Sequence, residues 1–543
     1  MSRIEVRNSC IIVHDYEMGE SPKIERVFSI YDIISHKRYP KGLYYDEETK
    51  DLYLPGGIDV WWVKKALDYD GRFDRVYHHK FRQIDNIMMK AAPKDEKQME
   101  ALRFMFGIEE YADIENVLSR CLTIKTGGGK TYISIATIAY MKITSIVITG
   151  SGTLLNQWKS EILSFTNLKD EDVYRISGSD VCLALLNGSL PKANKAKIYL
   201  CTHGTIRSFG DHYGWDKVYE LFEKLGIGIK IIDECHTNID NMYMIDFFTN
   251  VCYTYYVTAT LNRSNKEENK IFEISLKNVP KIDLFDPESD PHTHYFALKF
   301  NSRPNPSDIS RCKNKYGLDM NAYTNYVTLK PEFYQLLRII TEDYILKVLE
   351  NGGKTLIYIH TNDGILRVYK WLADNYPELI GRIGIFTSLV DKEQKLIERE
   401  YDIILTTIKS CGAGEDIRGL KLTIVLAEPF KSNVLARQTL GRTRDDGTLY
   451  IEVVDLGFKQ IRRFYQSKIP VFNTYALDTS SYTLDYIELV NRDKLIKEKR
   501  NKGKENAIQV FKLQDDRFDF DKVLPRKEEP ANLPKKVFIP LDN

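Results

Sequence analysis

The sequence predicts an α/β protein in which two regions of parallel strands alternate with helices. Near-continuous apolar runs such as SIVITG, IKIIDE and TYYVTAT occur in the first region, and YDIILTT, LTIVLAE and LYIEVVD occur in the second. Runs of this kind are typical of parallel strands that are covered on both faces. Several of them end in polar or glycine-rich turns, which is where open α/β sheets bind ligands.

Composition limits the classes of protein to which the chain can belong. Its 543 residues predict about three to four domains. The 77 Lys and Arg residues nearly balance the 76 Asp and Glu residues, for a net charge of +1. This balance excludes a histone-like protein with a basic field over its whole surface. Any contact with nucleic acid must therefore come from a local basic groove.

Cysteine usage and hydropathy predict a cytoplasmic chain. The eight cysteines are scattered and include no Cys-x-x-Cys pair, which argues against a disulfide scaffold or a zinc ribbon. No apolar run is long enough to span a bilayer, and the start MSRIEVRNSC lacks the apolar core of a secretory signal. We therefore expect no membrane partner.

Shifts in composition divide the chain into five predicted parts. These are a small N-terminal α+β domain over residues 1–90, a first α/β lobe over 91–262, a linker or insertion over 263–330, a second α/β lobe over 331–475 and a C-terminal extension over 476–543. The linker is predicted from polar, turn-rich stretches such as DPESDPHTH and SRPNPSD. In the extension, RDKLIKEKRNKGK is either a solvated helix face or a patch that grips a phosphate backbone.

The N-terminal part carries a hairpin signal followed by a helix signal. KGLYYDEETKDLYLPGG predicts two strands around a polar turn, closed by Pro-Gly-Gly. IDVWWVKKALDY then has the spacing of a helix and contains Trp61 and Trp62. Adjacent tryptophans either belong to a core or present a surface on which bases stack. A DNA-binding module is therefore one interpretation of this domain.

The strongest local motif is IKTGGGKTYISIATIAY, in which an apolar strand runs into a glycine-rich turn and then a helix. Glycines let backbone N–H groups surround phosphate oxygens, and a helix N-terminus favours negative charge. We expect Lys130 to reach the β- and γ-phosphates of ATP and the Thr131 hydroxyl to ligate Mg²⁺. Ile124 replaces the first glycine of the general pattern. The other predicted ATP-binding residues of the turn are Thr126, Gly127, Gly128 and Gly129.

A second motif, KIIDECH, places two adjacent acids at the end of a predicted strand. Asp233 would hold Mg²⁺, and Glu234 would orient and deprotonate the attacking water. Two acids suit this chemistry because one neutralises the metal while the other faces the nucleophile. A phosphate loop alone also occurs in kinases and GTPases, but this acidic pair in the same lobe favours a motor.

Six ordered motifs over roughly residues 90–475 resemble those of superfamily 2 helicases and translocases of the DExH type. KQMEAL resembles a segment in which a glutamine reads adenine, which nominates Gln98. The Leu-x-x-Gln-Trp ending of SIVITGSGTLLNQWKSEI resembles the XPB-like and UvsW-like branches. By this resemblance Gln157 and Thr202 would contact nucleic acid. His236, Thr258 and Thr260 would couple hydrolysis to movement.

The second lobe supplies the remaining motifs of the resemblance. TLIYIHTND resembles motif IV, ILTTIKSCGAGEDIRGL resembles motif V and RQTLGRTR resembles motif VI. The resemblance implies that Thr406 and Thr407 face nucleic acid and that Gln438 takes part in coupling. Arg442 and Arg444 are the predicted catalytic arginines. Most relatives carry their second arginine at the position of Asp445, so Arg444 is assigned as a shifted equivalent.

The resemblance implies a nucleotide cleft between two RecA-like lobes, with ATP and Mg²⁺ as cofactors. The first lobe would supply the phosphate loop and the acids, and the second would bring its arginines to the γ-phosphate when the cleft closes. Nucleic acid would be gripped mainly through its phosphates, with weak sequence preference and strong salt dependence.

The function implied is an ATP-dependent DNA helicase or translocase that acts on single-stranded, forked or branched DNA in recombination, repair or replication restart. The N-terminal segment resembles modules of phage helicases, which implies a phage-encoded protein in the host cytoplasm. An RNA helicase or transcript-release factor and the motor subunit of a restriction complex are the alternatives within the motor class. A nucleotide-binding scaffold without hydrolysis is the alternative outside it, and intact Lys130, Asp233 and Glu234 argue against it.

Overall fold

The computed structural model describes residues 3–32, 35–115, 117–124, 127–259, 261, 266–284, 291–315, 317–390, 400–411, 417–442 and 447–485. The chain forms two units, Met1–Phe285 and Asp286–Asn543, and each is described by itself. Within the described ranges, no helix combines the length and apolar character that crossing a membrane requires.

The N-terminal segment of the first unit forms a mostly antiparallel sheet. Its elements are β1 (Ile4–Val6), β2 (Cys10–Val13), α1 (Pro22–Val27), β3 (Ser29–Asp32), β4 (Lys37–Pro40), β5 (Tyr44–Asp46), β6 (Asp51–Pro55), α2 (Val60–Ala66) and β7 (Phe73–Arg75). The five-stranded sheet has the order β5-β6-β2-β1-β7, and β3 pairs with β4 alone. The predicted hairpin is confirmed as the antiparallel pair β5–β6, in which Tyr44 lies opposite Tyr53.

The first lobe is built on a seven-stranded sheet with the order β10-β11-β9-β12-β13-β8-β14. Its elements are α3 (Glu96–Phe106), β8 (Ser119–Thr123), α4 (Lys130–Met141), β9 (Ser145–Thr149), α5 (Gly152–Phe165), β10 (Val173–Arg175), α6 (Ser179–Leu186), β11 (Ile198–Thr202), α7 (His203–Tyr213), α8 (Trp215–Leu225), β12 (Ile229–Asp233), α9 (Ile239–Phe247), β13 (Tyr253–Thr258), α10 (Lys266–Ser275) and β14 (Lys281–Asp283). All neighbouring strands are parallel. The parallel α/β architecture predicted for this lobe is therefore confirmed.

The register of this sheet brings the predicted motifs to one edge. Ile231 of β12 lies beside Val147 of β9 and Tyr255 of β13. Leu122 of β8 lies beside Val257 of the same β13. Because parallel strands end at a common edge, the turns that follow β8, β9, β12 and β13 leave the sheet together. The phosphate loop and the acidic pair are in two of these turns.

The second unit contains the other parallel sheet, with the order β19-β20-β18-β21-β22-β15-β23. Its elements are β15 (Thr293–Phe300), α11 (Pro306–Arg311), β16 (Lys313–Asn314), β17 (Gly317–Leu318), α12 (Met320–Val327), α13 (Pro331–Ile340), α14 (Leu346–Glu350), β18 (Lys354–Ile359), α15 (Asn362–Asn375), β19 (Ile383–Phe386), β20 (Ile403–Thr406), β21 (Leu420–Ala427), α16 (Asn433–Leu440), β22 (Thr448–Asp455), α17 (Lys459–Tyr475) and β23 (Asp478–Thr483). Its seven strands are parallel, as the sequence predicts.

The predicted N-terminal domain is not separate from the first lobe, and this corrects the boundary at residue 90. Its apolar residues share one core with α9 and α10. Tyr53 packs on Phe248 with ring centroids 4.9 Å apart. The Asn8 side chain donates to the Val251 carbonyl at 2.9 Å. A Cβ on Gly57 would lie 2.3 Å from the Ser275 carbonyl oxygen, so only glycine allows this close approach.

The segment predicted as a linker, 263–330, does not have the predicted boundaries. Within it, α10 and β14 belong to the first unit, and β15 is an interior strand of the second sheet, between β22 and β23. Phe296 of β15 lies beside Ile451 of β22. The polar turns on either side of β15 obscured its apolar pattern. The second sheet also continues past residue 475, because β23 forms its edge.

The two adjacent tryptophans of α2 have different environments. Trp61 is 63% exposed, and the Lys64 ammonium lies 4.8 Å from its ring centroid. Trp62 is half-buried and packs edge-to-face against Phe28, with ring centroids 6.4 Å apart. Trp61 is therefore the more exposed of the two. The basic stretch RDKLIKEKRNKGK lies outside the described residues.

Candidate active site

The phosphate loop connects β8 to α4 through glycines in left-handed backbone conformations. Gly127 has φ of 82° and Gly129 has φ of 92°, which L side chains rarely adopt. α4 begins at Lys130 without a side-chain cap, so the first N–H groups of this helix are available to an anion. Thr126 of the predicted set lies outside the described residues.

Two hydrogen bonds hold the Gln98 side chain beside this loop. Its side-chain Nε2 donates to the Gly128 carbonyl at 3.4 Å, and its Oε1 accepts from the Lys94 backbone N–H at 2.8 Å. A Cβ on Gly129 would lie 2.3 Å from Gln98 Nε2. Glycine at 129 is therefore favoured by its backbone conformation, and a larger residue would also displace the end of the Gln98 side chain.

The two acids follow directly at the end of β12. Lys130 Nζ lies 3.2 Å from Glu234 Oε1, so the phosphate loop and the acidic motif meet in an ion pair. The Trp158 indole donates to Asp233 Oδ2 at 3.0 Å. Glu234 has a φ of 51°, a left-handed conformation that is uncommon for a residue with a side chain. Such backbone conformations concentrate at functional sites.

The two carboxyl groups differ in their affinity for protons. Burial raises the pKa of Asp233 to about 6, the charge of Glu234 adds to this effect, and Lys130 opposes it. Burial alone would raise the pKa of Glu234 too, but Lys130 and His236 outweigh burial and lower it. Paired titratable groups whose pKa values are moved apart are typical of catalytic sites.

His236 and Thr258, both predicted to couple hydrolysis to movement, contact Glu234. The Thr258 hydroxyl donates to Glu234 Oε2 at 3.4 Å. The same hydroxyl shares a hydrogen bond of 2.6 Å with His236 Nδ1. The end of β13 is thus joined to the acid at the end of β12. Thr260 lies outside the described residues.

The residues near Asp233 fit a magnesium ion. Asp233 Oδ1 is buried and accepts no hydrogen bond of normal geometry from the described residues. Thr131, the predicted hydroxyl ligand, is on the first turn of α4, directly after Lys130. No group of three or more His, Cys, Asp or Glu side chains among those described could hold a metal alone. Mg²⁺ suits such a sparse site, since it usually keeps water and substrate phosphates as ligands.

The residues predicted to contact nucleic acid in the first lobe are on α5 and at the end of β11. Gln157 is half-buried on α5, and its Nε2 donates to Glu161 Oε1 at 2.8 Å. Thr202 ends β11 and caps α7, where its hydroxyl oxygen accepts from the Thr205 N–H at 3.2 Å. Threonine is a common residue at the position directly before a helix, so the sequence around Thr202 is itself typical of this capping role.

Thr406 and Thr407 of the second unit differ in exposure, and the difference corrects one assignment. Thr406 is 0% exposed, and its hydroxyl donates to the Phe386 carbonyl at 2.6 Å. This hydroxyl is not available to a nucleic acid, contrary to the sequence prediction. Thr407 is half-buried, and its hydroxyl donates to Ser410 Oγ at 2.9 Å. Only Thr407 remains a proposed contact.

Two of the motif VI residues are buried in the second unit. Gln438 is on α16, and Arg442 follows the end of that helix. The Arg442 guanidinium interacts with the Tyr358 hydroxyl: burial raises the pKa of Tyr358 most strongly, and Arg442 opposes the effect. Arg444 lies outside the described residues, as do Gly414 and Asp416 of motif V.

Replacing Asp233 with Asn is expected to stabilise the metal-free protein at pH 7.5, by about 1–3 kcal/mol. The pKa of Asp233 rises from an ordinary 3.8 to about 6 on folding. The folded state is therefore favoured below pH 3.8 and loses this contribution as the pH rises through 6. Asn carries no charge, so the difference should grow between pH 4 and pH 6.5 and then level off.

Urea unfolding of both proteins at several pH values measures this effect. Asp216→Asn, at an exposed position of α8, is the matched control and should change the free energy of unfolding by less than about 0.5 kcal/mol. If the Asp233→Asn protein is less stable than the parent at pH 7.5, the ionised Asp233 carboxylate does not lower the free energy of unfolding as proposed.

Comparisons with known proteins identify relatives of this chain. Residues 91–263 match the model of the family described as type III restriction enzyme, res subunit. An XPB helicase/translocase subunit of the general transcription and DNA repair factor IIH from Encephalitozoon cuniculi is 22% identical over 64% of this chain and 51% of the relative. The chain thus spans about half the length of that relative. The XPB subunit of Enterocytozoon bieneusi is 28% identical over 30% of this chain and 27% of the length of that subunit.

Solved structures with detectable similarity include three from different sources. T4 UvsW has a TM-score of 0.34 and 13% identity, and the match covers 89% of this chain and 99% of UvsW. A fragment of a putative HsdR subunit from Vibrio vulnificus has a TM-score of 0.46 and 15% identity, with 72% of this chain and 68% of the fragment covered. The DEAD-box helicase Mss116 has a TM-score of 0.47 and 14% identity, and the match covers 79% of this chain and 84% of Mss116.

The motifs, the sheets that carry them and the family match converge on one classification. The phosphate loop, the acidic pair and the Thr258-Ala259 segment at the end of β13 leave one edge of a parallel sheet within the matched residues 91–263. The XPB relative extends the similarity over 64% of the chain. Together these findings support a helicase or translocase of superfamily 2.

Proposed function

We propose that the protein is an ATP-dependent DNA helicase or translocase of the DExH type that acts on forked or branched DNA. The observation that carries the proposal is the site in the first lobe. There, Lys130 pairs with Glu234 at 3.2 Å beside Asp233 Oδ1, which accepts no hydrogen bond of normal geometry from the part of the chain that the structure describes. ATP with Mg²⁺ is the cofactor pair that such a site suits.

Binding of nucleotide would change the partner of Lys130. The Lys130 ammonium pairs with Glu234 and lowers the pKa of its carboxyl group. Phosphate oxygens compete for the same ammonium, and the N–H groups at the start of α4 bind them too. Glu234 is then released to accept a proton from the attacking water. The ion pair thus keeps the base inactive until a nucleotide arrives.

Asp233 and Thr131 would hold the metal through one carboxylate oxygen and one hydroxyl. When bound, Mg²⁺ neutralises charge on the phosphate oxygens. The other carboxylate oxygen of Asp233, Oδ2, does not have to contact the metal, because it already accepts a hydrogen bond from the Trp158 indole at 3.0 Å. Thr258 and His236 contact Glu234 and would transmit its change of state to the loop after β13. Gln438, Arg442 and Arg444 of motif VI complete the proposed machinery, with the arginines stabilising the transferred phosphoryl group.

The choice of DNA rests on the curated relatives, which are named as DNA repair factor subunits. Gln157, Thr202 and Thr407 are the proposed contacts, and their hydroxyl and amide groups suit phosphate and sugar oxygens. Such contacts carry little information about base sequence, so we expect binding with strong salt dependence. Recombination, repair or replication restart are the processes that use branched substrates of this kind.

ATP hydrolysis measured without nucleic acid and with single-stranded DNA, forked DNA or RNA tests this proposal. We expect stimulation by DNA, with the largest effect for the fork. Stimulation by RNA alone would contradict the DNA assignment and favour an RNA helicase or transcript-release factor. Absence of hydrolysis with every nucleic acid would contradict the motor.

A restriction-type motor is the second candidate, and the family match favours it, since the matching model describes the res subunit of type III restriction enzymes. Such a motor would work with a nuclease partner. Equal stimulation by linear duplex DNA and by a fork would favour this candidate over the branched-DNA enzyme.

A further inference from the structure

Trp158 connects the helix that carries a proposed nucleic-acid contact to the acid that is proposed to hold the metal. It is 2% exposed and lies in the core of the first lobe. Its indole N–H is its single hydrogen-bond donor, and this donor bonds Asp233 Oδ2 at 3.0 Å. Buried indole N–H groups usually find a hydrogen-bond partner, and here the partner is one of the two acids at the end of β12.

The hydrogen bond determines how Asp233 is presented. With Oδ2 engaged by the indole, the other oxygen, Oδ1, is left buried without a hydrogen bond of normal geometry from the described residues. A carboxyl group at the end of a strand would otherwise rotate about its terminal bond, because that torsion has broad minima. The indole, locked by its own packing, removes this freedom. Asp233 Oδ1 is therefore the oxygen that is positioned to contact a metal ion.

The helix that supplies this indole also carries the neighbouring Gln157. α5 begins after the Ser151 cap and runs to Phe165, and Gln157 is half-buried on it. A shift of α5 on contact with nucleic acid would move the indole by a similar amount, since adjacent residues of a helix move together. Asp233 would then change its orientation or lose its hydrogen bond.

We propose that Trp158 is a positioning residue that orients Asp233 for the metal and makes this orientation depend on the place of α5. The inference rests on the proposed function, because it assumes a divalent cation with nucleotide at Asp233. It adds a residue that acts on the metal through the carboxylate and touches neither metal nor nucleotide. Residues that hydrogen-bond a metal ligand commonly change metal affinity by about 10–100-fold when they are replaced.

The test compares Trp158→Phe with a protein that carries β-(3-benzothienyl)alanine at position 158. The second side chain has the shape of indole but a sulfur atom in place of the N–H, so it removes the hydrogen bond and keeps the packing. Trp215→Phe is the matched control, because Trp215 is a half-buried tryptophan of the same unit that packs on Phe248. Thermal unfolding shows which proteins are folded.

The main measurement is Mn²⁺ binding, followed by electron paramagnetic resonance of free Mn²⁺, in the presence of a non-hydrolysable ATP analogue. We expect both position-158 proteins to bind Mn²⁺ about 10-fold or more weakly than the parent. Affinity for the analogue without metal should stay within about twofold, and Trp215→Phe should match the parent in both. Forked DNA is expected to change the Mn²⁺ affinity of the parent and to have less effect on the benzothienyl protein.

The outcomes separate this inference from the function on which it rests. If the parent binds no Mn²⁺ with the analogue, the proposed function and the role of Trp158 both fail. If the parent binds and the folded benzothienyl protein binds equally well, only the role of Trp158 is overturned. If forked DNA changes the Mn²⁺ affinity of the parent and of the benzothienyl protein equally, the orientation of Asp233 does not depend on the position of α5 through this hydrogen bond.

Discussion

Replacing Lys130 with Ala is expected to lower kcat for ATP hydrolysis by about 10²–10³-fold and to weaken nucleotide binding as well. Lys130 is the first residue of α4 and lies 3.2 Å from Glu234 Oε1, so its ammonium is at the junction of the phosphate loop and the acids. Alanine leaves the N–H groups of α4 in place but removes the ammonium group that lies beside Glu234. Steady-state hydrolysis and binding of a fluorescent ATP analogue measure the two effects.

The matched control for this change is Lys217→Ala. Lys217 is on α8 and pairs with the exposed Glu220 at 2.7 Å, away from the phosphate loop. Its loss should leave hydrolysis and nucleotide binding unchanged. A Lys130→Ala protein that is folded and retains more than about a tenth of the parent activity would contradict the assignment of the phosphate loop.

Replacing Glu234 with Gln should have an equally large effect on kcat but a different effect on binding. A glutamine keeps the shape of the side chain and cannot accept a proton from water, so kcat should fall by about 10²–10⁴-fold. Nucleotide affinity should stay within about threefold, because Lys130 is released from its ion pair and remains free to bind phosphate. This separation of kcat from affinity distinguishes a general base from a binding residue.

Single-turnover hydrolysis together with equilibrium binding of the analogue measures this separation. Glu161→Gln is the control, since Glu161 bonds Gln157 on α5 and has no proposed role in proton transfer. A Glu234→Gln protein with near-normal kcat would show that another group takes the proton. Equal losses of affinity and kcat would show that Glu234 acts mainly in binding.

Most of the architecture could be predicted because buried parallel strands have a strong sequence pattern. Runs such as IKIIDE are apolar on both faces, and β12 is buried along its whole length. The phosphate loop was predictable for a related reason, since Gly127 and Gly129 have backbone conformations that favour glycine. The pairing of Lys130 with Glu234 follows from the parallel order of β8, β13 and β12.

What could not be predicted depends on long-range packing. β15 is mostly apolar but lies between polar, turn-rich stretches, and its pairing with β22 and β23 identifies it as a sheet strand. The fusion of the N-terminal segment with the first lobe depends on contacts such as that of Tyr53 with Phe248. Local patterns carry no information about such contacts. Thr406 was misassigned because its position in motif V does not reveal that its hydroxyl faces the Phe386 carbonyl.

The bond between Trp158 and Asp233 shows the same limit within the site. The sequence marks Trp158 only as part of a Leu-x-x-Gln-Trp motif, and 75 positions separate it from Asp233. Their proximity depends on how α5 packs beside β12, which the motif alone does not determine. Sequence motifs therefore identify the residues that act on the nucleotide more readily than those that position them.

Displacement of a third strand from a DNA triplex tests the central claim most directly, because it reports movement along DNA driven by hydrolysis. The account predicts release of the third strand with ATP and Mg²⁺, faster when a fork provides the loading site, and no release with Glu234→Gln or with a non-hydrolysable analogue. Hydrolysis that DNA stimulates without any release of the third strand or separation of a forked duplex would contradict a motor that moves on DNA.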